Sequence, residues 1–234
     1  MDINNELFRK AFKKLKSSVY YDKTALVLRN KLVEYEMSAG DNINSRLDDI
    51  FDICTGSDGK YEEFCEKILS SINYLAFPKK IESSDPEDEI ADADSVLYNF
   101  ADEKTKLTEL QFFIDMAVEG HILGVVWLML IGYRIDKDVI YNHSYGNRIR
   151  KKLINDLSNE VTYSPYLFEP YFQQYESWCD EGMKKALDCL DENLDVIIMT
   201  MDFKRFYYSV DMNKDAFDAV YRDASIPKDN ESII

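Results

Sequence analysis

A short apolar segment that ends in an aspartate is the part of this sequence most suggestive of chemistry. Residues 196–201 read Val-Ile-Ile-Met-Thr-Met, and Asp202 follows them directly. An unpaired carboxylate at the end of a buried strand is costly, whereas a bound cation makes it favourable. Nucleotidyl transfer needs such a carboxylate, because oxygen ligands hold the two Mg²⁺ ions that bridge the attacking hydroxyl and the leaving pyrophosphate. A strand-end aspartate does not by itself single out this chemistry.

The residues after Asp202 favour nucleotidyl transfer over the other roles of a strand-end aspartate. Residues 202–211 read Asp-Phe-Lys-Arg-Phe-Tyr-Tyr-Ser-Val-Asp, with an aromatic pair between the two aspartates. This stretch resembles the first catalytic motif of reverse transcriptases. The resemblance implies that Asp202 binds both Mg²⁺ ions and that Phe203 adds its backbone carbonyl to the metal site. It also implies that Tyr207 lies under the sugar of the incoming nucleotide, where a flat ring excludes a ribose 2′-hydroxyl.

A second motif lies upstream. Residues 144–148 read Ser-Tyr-Gly-Asn-Arg, which resembles the Ser-Tyr-Gly-Phe-Arg element of group II intron and retron-type reverse transcriptases. Arg148 then binds nucleotide or template, or it holds the glycine turn. The next basic residues could grip phosphates or form a solvated face: Arg150, Lys151 and Lys152. Four further stretches resemble bacterial defence-associated reverse transcriptases, namely residues 112–115, 121–124, 167–172 and 175–178. The resemblance covers residues 110–215 and is strongest at its end.

One element that the resemblance requires does not follow the first motif. Reverse transcriptases need an aromatic-x-Asp-Asp hairpin for their other metal ligands, and none occurs between Asp202 and Ile234. We therefore expect the chain to be the front part of an RNA-directed DNA polymerase, inactive by itself. The resemblance implies a role in prokaryotic antiviral defence, with Mg²⁺ as cofactor. The expected partners are deoxynucleoside triphosphates and an RNA template or non-coding RNA, with homo-oligomerisation left open.

The alternative hypothesis is that the chain is not an enzyme but a non-catalytic helical scaffold that binds a structural RNA or a protein partner. The net charge of −16 argues against a protein that coats nucleic acid without specificity. The location of charge matters more than its sum, however. Residues 82–94 contain seven carboxylates and no base, which is typical of an exposed insertion. The basic residues gather in the first 23 residues and again at 148–152.

Hydropathy and cysteine usage indicate a cytoplasmic protein without a membrane partner. The longest apolar run, residues 122–133, has 12 residues and is too short to cross a bilayer. The four cysteines include no C-x-x-C pair, and reduced thiols are the plain interpretation.

Hydrophobic periodicity predicts a mostly helical chain. Helices are predicted at residues 3–37, 46–53, 60–75, 149–157, 175–190 and 213–223. Residues 125–131 have no polar face and could be a buried helix or a buried strand, and the length of the apolar stretch favours a helix. A loop is expected from Phe77, an irregular aromatic stretch at 163–172, and a buried strand at 196–201.

The predicted fold class is α+β. Residues 1–105 form a helical N-terminal region with an acidic insertion at 82–95, and residues 106–195 form a region like polymerase fingers. Residues 196–234 begin a right-hand palm with its first strand and helix.

Overall fold

The computed structural model describes most of the chain and divides it into two compact units. The described residues are 3–23, 25–56, 59–83, 105–138, 144–150, 152–154, 158–160, 165–201, 210–211 and 213–223. One unit comprises the chain up to Tyr61 and from Val118 onward, and the other comprises residues Glu62–Ala117. The described parts are mostly helical with small antiparallel sheets. The coarse α+β class is therefore confirmed.

The helices are numbered in chain order. Their bounds are Asn5–Tyr21 (α1), Leu26–Ala39 (α2), Ile43–Thr55 (α3), Lys60–Ser70 (α4), Val118–Trp127 (α5), Tyr133–Asp138 (α6), Tyr171–Asp191 (α7) and Lys214–Asp223 (α8). The strands are Asn73–Ser83 (β1), Thr105–Asp115 (β2), Lys152–Ile154 (β3) and Ser158–Glu160 (β4).

Helix α1 forms the centre of the first unit because one of its faces is apolar throughout. It begins at a capping residue, Asn4, whose side-chain oxygen accepts a hydrogen bond from the Leu7 N–H at 3.0 Å. The apolar residues predicted from helical spacing are all buried: Leu7, Phe8, Phe12, Leu15 and Val19. Helix α1 packs against α3 and α5. The N-terminal part of the helix predicted at residues 3–37 is therefore confirmed.

The single helix predicted at 3–37 is wrong, because the chain forms two helices there. Helix α1 ends at Tyr21 and α2 begins at Leu26. The Arg29 guanidinium donates to three carbonyls at the end of α1, those of Val19, Tyr20 and Asp22, at 3.3, 3.3 and 2.8 Å. These carbonyls have no partner within the helix, and an arginine bound to them stabilises the break.

The apolar residues 125–131 are helical, as predicted. They belong to a longer helical segment in which a π turn, Leu128–Gly132, joins α5 to α6. Within the described residues, Val118–Asp136 is the one helix long and apolar enough to cross a membrane, judged by length and composition alone. Several of its side chains, Ile122 and Ile131 among them, are fully buried in the unit, and core helices also pass this test. The absence of a membrane partner stays a prediction.

The second unit contains a two-stranded antiparallel sheet where the sequence predicts the end of a helix and a loop. Strand β1 pairs with β2 from Asn73 opposite Asp115 to Ser83 opposite Thr105. The register shifts after Pro78, which has no N–H to donate to the ladder. The loop prediction at Phe77 is wrong because a two-stranded sheet has only edge strands, and these tolerate a proline. The acidic insertion begins on β1, and residues 84–95 lie outside the described residues.

The helix predicted at 149–157 is also wrong. Ile149 forms a bridge with Phe168, and β3 and β4 form a short antiparallel hairpin further along. Two backbone hydrogen bonds fix this geometry, from the Arg150 N–H to the Leu167 carbonyl at 2.9 Å and from the Glu169 N–H to the Arg148 carbonyl at 2.8 Å. Because these groups bond to a distant segment, the backbone stays extended.

The buried strand predicted at 196–201 is not found. Residues 194–201 have no regular secondary structure, and four apolar side chains lie in solvent: Ile197, Ile198, Met199 and Met201, at 91, 69, 72 and 85% exposure. A strand needs a neighbour for its backbone hydrogen bonds, and no described strand lies beside this segment. Helix α8 forms as predicted, with Asn213 as its cap; the Asn213 side chain accepts from the Ala216 N–H.

Candidate functional site

A buried ion pair fixes the turn that carries the second motif. The Arg148 Nε lies 2.7 Å from Asp136 Oδ1, and the two side chains are 9% and 10% exposed. Arg148 also donates to the Ser144 carbonyl at 2.9 Å and to the Asp136 carbonyl at 3.0 Å. Arg148, at the end of the turn, therefore holds both Ser144, at the beginning of the turn, and Asp136, near the end of α6. This is the structural role considered for Arg148, and its contact with a nucleotide stays a prediction.

Gly132, in the π turn, allows Ile149 to approach the helix closely. A Cβ added to Gly132 would lie 2.9 Å from the Leu128 side chain and 3.3 Å from the Ile149 side chain. Ile149, which follows Arg148, thus packs closely beside the π turn. The Ile149 N–H also faces Asp136 Oδ1, at 3.4 Å. Sequence reasoning missed Asp136, because a single aspartate near the end of a helix carries no signal of a partner 12 residues away.

Asn147 has a left-handed backbone conformation, with φ of 51°. This region is unfavourable for most side chains and is tolerated best by glycine and asparagine. The asparagine therefore fits the conformation that the turn adopts here. Asn147 is exposed.

A cleft of about 470 Å³ lies between this turn and α7. Its walls are the turn residues 144–147 and, from α7, Tyr171, Gln174, Tyr175 and Trp178. The three aromatic residues are spaced by four and three positions, so they share one face of the helix. They are 81, 57 and 50% exposed, and the Tyr175 and Trp178 ring centroids lie 5.7 Å apart.

The hydroxyl of Tyr145, a residue that lines the cleft, donates to Glu181 Oε2 at 2.5 Å. This hydrogen bond raises the pKa of Tyr145, because Glu181 accepts the proton that ionisation would remove. The cleft therefore offers flat aromatic faces, the Gln174 and Asn147 amides and a neutral phenol. Such a surface can stack on planar bases and hydrogen-bond to their edges.

Only part of the predicted basic cluster falls within the described side chains. The Arg150 guanidinium lies over the Tyr166 ring at 5.1 Å, and its Nε is 3.7 Å from Glu169 Oε2. Lys151 lies outside the described residues, and Lys152 is described only as the first residue of β3. Because Glu169 partly neutralises Arg150, this arginine is a weaker phosphate ligand than the sequence alone indicates.

Lys14 is a buried lysine of α1 that binds the backbone at Tyr166. The sequence places it among the lysines opposite the apolar face of α1, yet it is only 2% exposed. Its ammonium donates to the Tyr166 carbonyl at 3.3 Å. Loss of hydration on burial lowers the pKa of Lys14 from 10.5 to about 8.

We expect Lys14 to make the folded state more stable as the pH rises. Its pKa is lower in the folded state, so between about pH 8 and pH 10.5 the unfolded chain binds more protons. Across that whole range the free energy of unfolding should rise by roughly 3 kcal/mol. Urea unfolding of wild type and Lys14→Met from about pH 7 to pH 9.5 measures this slope. Lys14→Met should be more stable than wild type at pH 7 and should lack the rise.

Lys13→Met is the matched control, since Lys13 is the exposed neighbour on the same helix. It should leave the pH dependence unchanged. A Lys14→Met protein with the wild-type slope would show that Lys14 is not the titrating group.

Residues 202–209 of the first motif lie outside the described residues, among them Asp202, Phe203 and Tyr207. Within the described part of the chain, no group of three or more His, Cys, Asp or Glu side chains could hold a metal ion. Asp211, the second aspartate of the motif, is exposed and accepts a hydrogen bond from the Asn213 amide at 3.0 Å. Mg²⁺ ligation by Asp202 and the Phe203 carbonyl stays a prediction.

No family model, curated protein or solved structure matches the chain.

Proposed function

We propose that this chain is the front part of an RNA-directed DNA polymerase of the reverse-transcriptase type, acting in prokaryotic antiviral defence in the cytoplasm. The observation that carries the proposal is the cleft in which the Ser-Tyr-Gly-Asn-Arg turn faces Tyr171, Tyr175 and Trp178. The motif that resembles the family and the aromatic residues of α7 are far apart in sequence and form one surface. That surface suits a single-stranded nucleic acid.

In this proposal the cleft binds unpaired bases of an RNA template or non-coding RNA. Tyr175 and Trp178 stack on bases, which requires no particular sequence because every base has a flat face. Gln174 and Asn147, which line the cleft, would hydrogen-bond to base edges or to the 2′-hydroxyl groups of RNA. Arg148 holds the turn in position and has no direct contact with RNA.

The catalytic step belongs to the first motif. Asp202 and the Phe203 carbonyl would hold Mg²⁺, and the bound ion would supply charge stabilisation for nucleotidyl transfer. Tyr207 selects deoxynucleoside triphosphates by excluding a 2′-hydroxyl. The exposed apolar residues 194–201 are then the part of the chain that a palm sheet covers once its other strands are present.

A second candidate is a non-catalytic scaffold that binds a structural RNA or a protein. The observation in its favour is that residues 196–201 are neither a strand nor buried. Both candidates use the same cleft for RNA, so binding tests the shared part of the proposal. Polymerase activity separates the two.

We expect Trp178→Ala to weaken binding of a labelled single-stranded RNA by about 5- to 150-fold, as the loss of one stacked base predicts. Fluorescence anisotropy over a range of salt concentrations measures both affinity and its salt dependence. The salt slope should stay constant for Trp178→Ala, because stacking releases no counterions. Neutralising Arg150, Lys151 and Lys152 together should instead flatten the slope.

Phe172→Ala is the matched control. Phe172 is an aromatic residue of α7 with 46% exposure, close to the 50% of Trp178, but it does not line the cleft. Its replacement should leave RNA affinity unchanged at protein concentrations in the nanomolar range. Equal losses in the two variants would show that the cleft has no special part in binding.

A further inference from the structure

Helix α7 is attached to the turn at two places, one before and one after the residues that line the cleft. Near its base, the Glu169 N–H donates to the Arg148 carbonyl at 2.8 Å, shortly before the helix begins at Tyr171. Further along, Glu181 accepts the Tyr145 hydroxyl at 2.5 Å. Every residue of α7 is described, and none of them is buried. The two attachments therefore frame the cleft from both ends.

The second attachment lies on the side of α7 that faces the cleft. Glu181 follows Gln174 by about two helical turns, so the two side chains are aligned along the helix. Gln174 lines the cleft, whereas Glu181 does not. Among the described residues, the Tyr145–Glu181 bond is the one side-chain hydrogen bond that joins α7 to another segment. Without it, the hydrogen bonds that hold α7 to the turn are those near its base.

A carboxylate at the position of Glu181 is unfavourable for a surface that binds RNA, because it repels phosphate groups. The hydrogen bond to Tyr145 gives this carboxylate a structural purpose. A bond from a hydroxyl to a carboxylate is shorter and stronger than a bond between neutral groups. Glu181 is exposed and Tyr145 is half-buried, so water competes for the bond and its contribution is modest.

We propose that the Tyr145–Glu181 hydrogen bond is a latch that fixes the width of the cleft, and that both residues are positioning residues for RNA. This inference rests on the proposed binding of single-stranded RNA in the cleft. The latch holds Tyr175 and Trp178 beside the turn before RNA arrives. Binding then does not have to order α7, and affinity is gained because that cost is absent.

The direction of the effect at Glu181 separates a latch from a simple charge. If the carboxylate acts only through its charge, its removal strengthens RNA binding. A latch predicts the opposite for Glu181→Ala, because alanine cannot accept the hydrogen bond. Glu181→Gln removes the same charge but keeps an oxygen that accepts from the Tyr145 hydroxyl. The two variants therefore share the loss of charge and differ in the latch.

Fluorescence anisotropy with a labelled single-stranded RNA tests the latch in binding. Glu181→Ala and Tyr145→Phe should each weaken binding by roughly 2- to 5-fold, as expected for a solvent-exposed polar contact. Phenylalanine keeps the ring that lines the cleft, so the loss comes from the hydroxyl. The protein with both changes should bind no more weakly than Tyr145→Phe alone, because both remove the same bond. Glu181→Gln should bind RNA at least as tightly as wild type.

Acrylamide quenching of tryptophan fluorescence tests the latch without RNA. The chain has two tryptophans, and Trp127 is common to all variants, so differences between variants report on Trp178. Trp178 is 50% exposed with the latch in place. Glu181→Ala and Tyr145→Phe should raise the quenching constant, whereas Glu181→Gln should keep the wild-type value. Far-UV circular dichroism should show the same helix content in all variants.

Glu176→Ala is the matched control. Glu176 is an exposed carboxylate of α7 that does not line the cleft, and helical spacing places it away from Glu181 around the helix. Its removal should leave the quenching constant unchanged and should not weaken RNA binding.

Two results would overturn the latch while leaving the proposed function in place. One is a Glu181→Ala protein with the wild-type quenching constant, and the other is a Glu181→Ala protein that binds RNA as tightly as Glu181→Gln. A wild-type chain that binds no RNA would contradict the proposed function, and with it the role of the latch in RNA binding.

Discussion

Arg148→Met should lower the free energy of unfolding by about 3–5 kcal/mol, because it leaves the Asp136 carboxylate buried without its counter-charge. The methionine keeps most of the side-chain volume, so the loss comes from the charge and its hydrogen bonds and not from a cavity. Arg148 also donates to the carbonyls of Ser144 and Asp136, and those acceptors lose their partner in the same variant. Urea unfolding at neutral pH measures the difference.

A double-mutant cycle separates the ion pair from the backbone contacts. Asp136→Leu removes the other charge, and the protein with both changes should be more stable than the sum of the single losses predicts. An excess of about 1 kcal/mol or more, within the range of roughly 0.5–3 kcal/mol for contacting residues, would identify the pair as the main source of the effect. The backbone acceptors account for what remains.

Lys79→Met is the control for loss of an exposed ion pair. Lys79 lies 3.0 Å from Glu109, but the two side chains are 54% and 43% exposed, so its removal should cost less than about 1 kcal/mol. If Arg148→Met costs no more than Lys79→Met, the turn is not held by the buried pair. The cleft would then need another support.

The second large effect concerns catalysis, and it rests on the proposed polymerase function. In a polymerase that contains this chain together with an aromatic-x-Asp-Asp hairpin, Asp202→Asn should lower the rate of primer extension by about a thousandfold or more. Loss of one anionic metal ligand typically removes several kcal/mol of transition-state stabilisation, and each 1.4 kcal/mol is about tenfold in rate. Extension of a primer on an RNA template in the presence of Mg²⁺ measures the rate.

Asp195→Asn is the matched control for Asp202→Asn. Asp195 is an exposed aspartate just before the same apolar segment, and its replacement should leave the rate unchanged. Both variants should unfold at the wild-type urea concentration. Near-normal extension by Asp202→Asn would exclude the metal-ligand role, and a complete lack of Mg²⁺-dependent extension by the wild-type polymerase would favour the scaffold.

The sequence by itself determined helices such as α1 and α7, because the spacing of apolar residues along a short stretch of chain is enough to predict them. The apolar positions of α1 recur every three or four residues and are buried as a set, because helical periodicity alone brings them to one face. Helix α7 likewise forms over the range where its pattern is amphipathic. The periodicity did not reveal that the apolar face of α7 stays exposed, since amphipathicity indicates a contact but not whether the same chain provides it.

The tertiary structure decided the features that depend on distant partners. Arg29 ends α1 by binding its last carbonyls, and no residue near that end signals a break. Residues 148–150 are extended because their backbone groups pair with the 167–169 segment, although their composition favours a helix. Burial of Lys14 and of the Arg148–Asp136 pair depends on the same long-range packing.

Residues 196–201 also show that local sequence does not decide a structure that depends on distant partners. Their β-branched, apolar composition predicts a buried strand, yet they are exposed and irregular. A strand is not a local structure, because its hydrogen bonds and its burial both come from neighbouring strands. A helix satisfies its own backbone and can be predicted from periodicity, whereas a strand exists only where the tertiary structure supplies a partner.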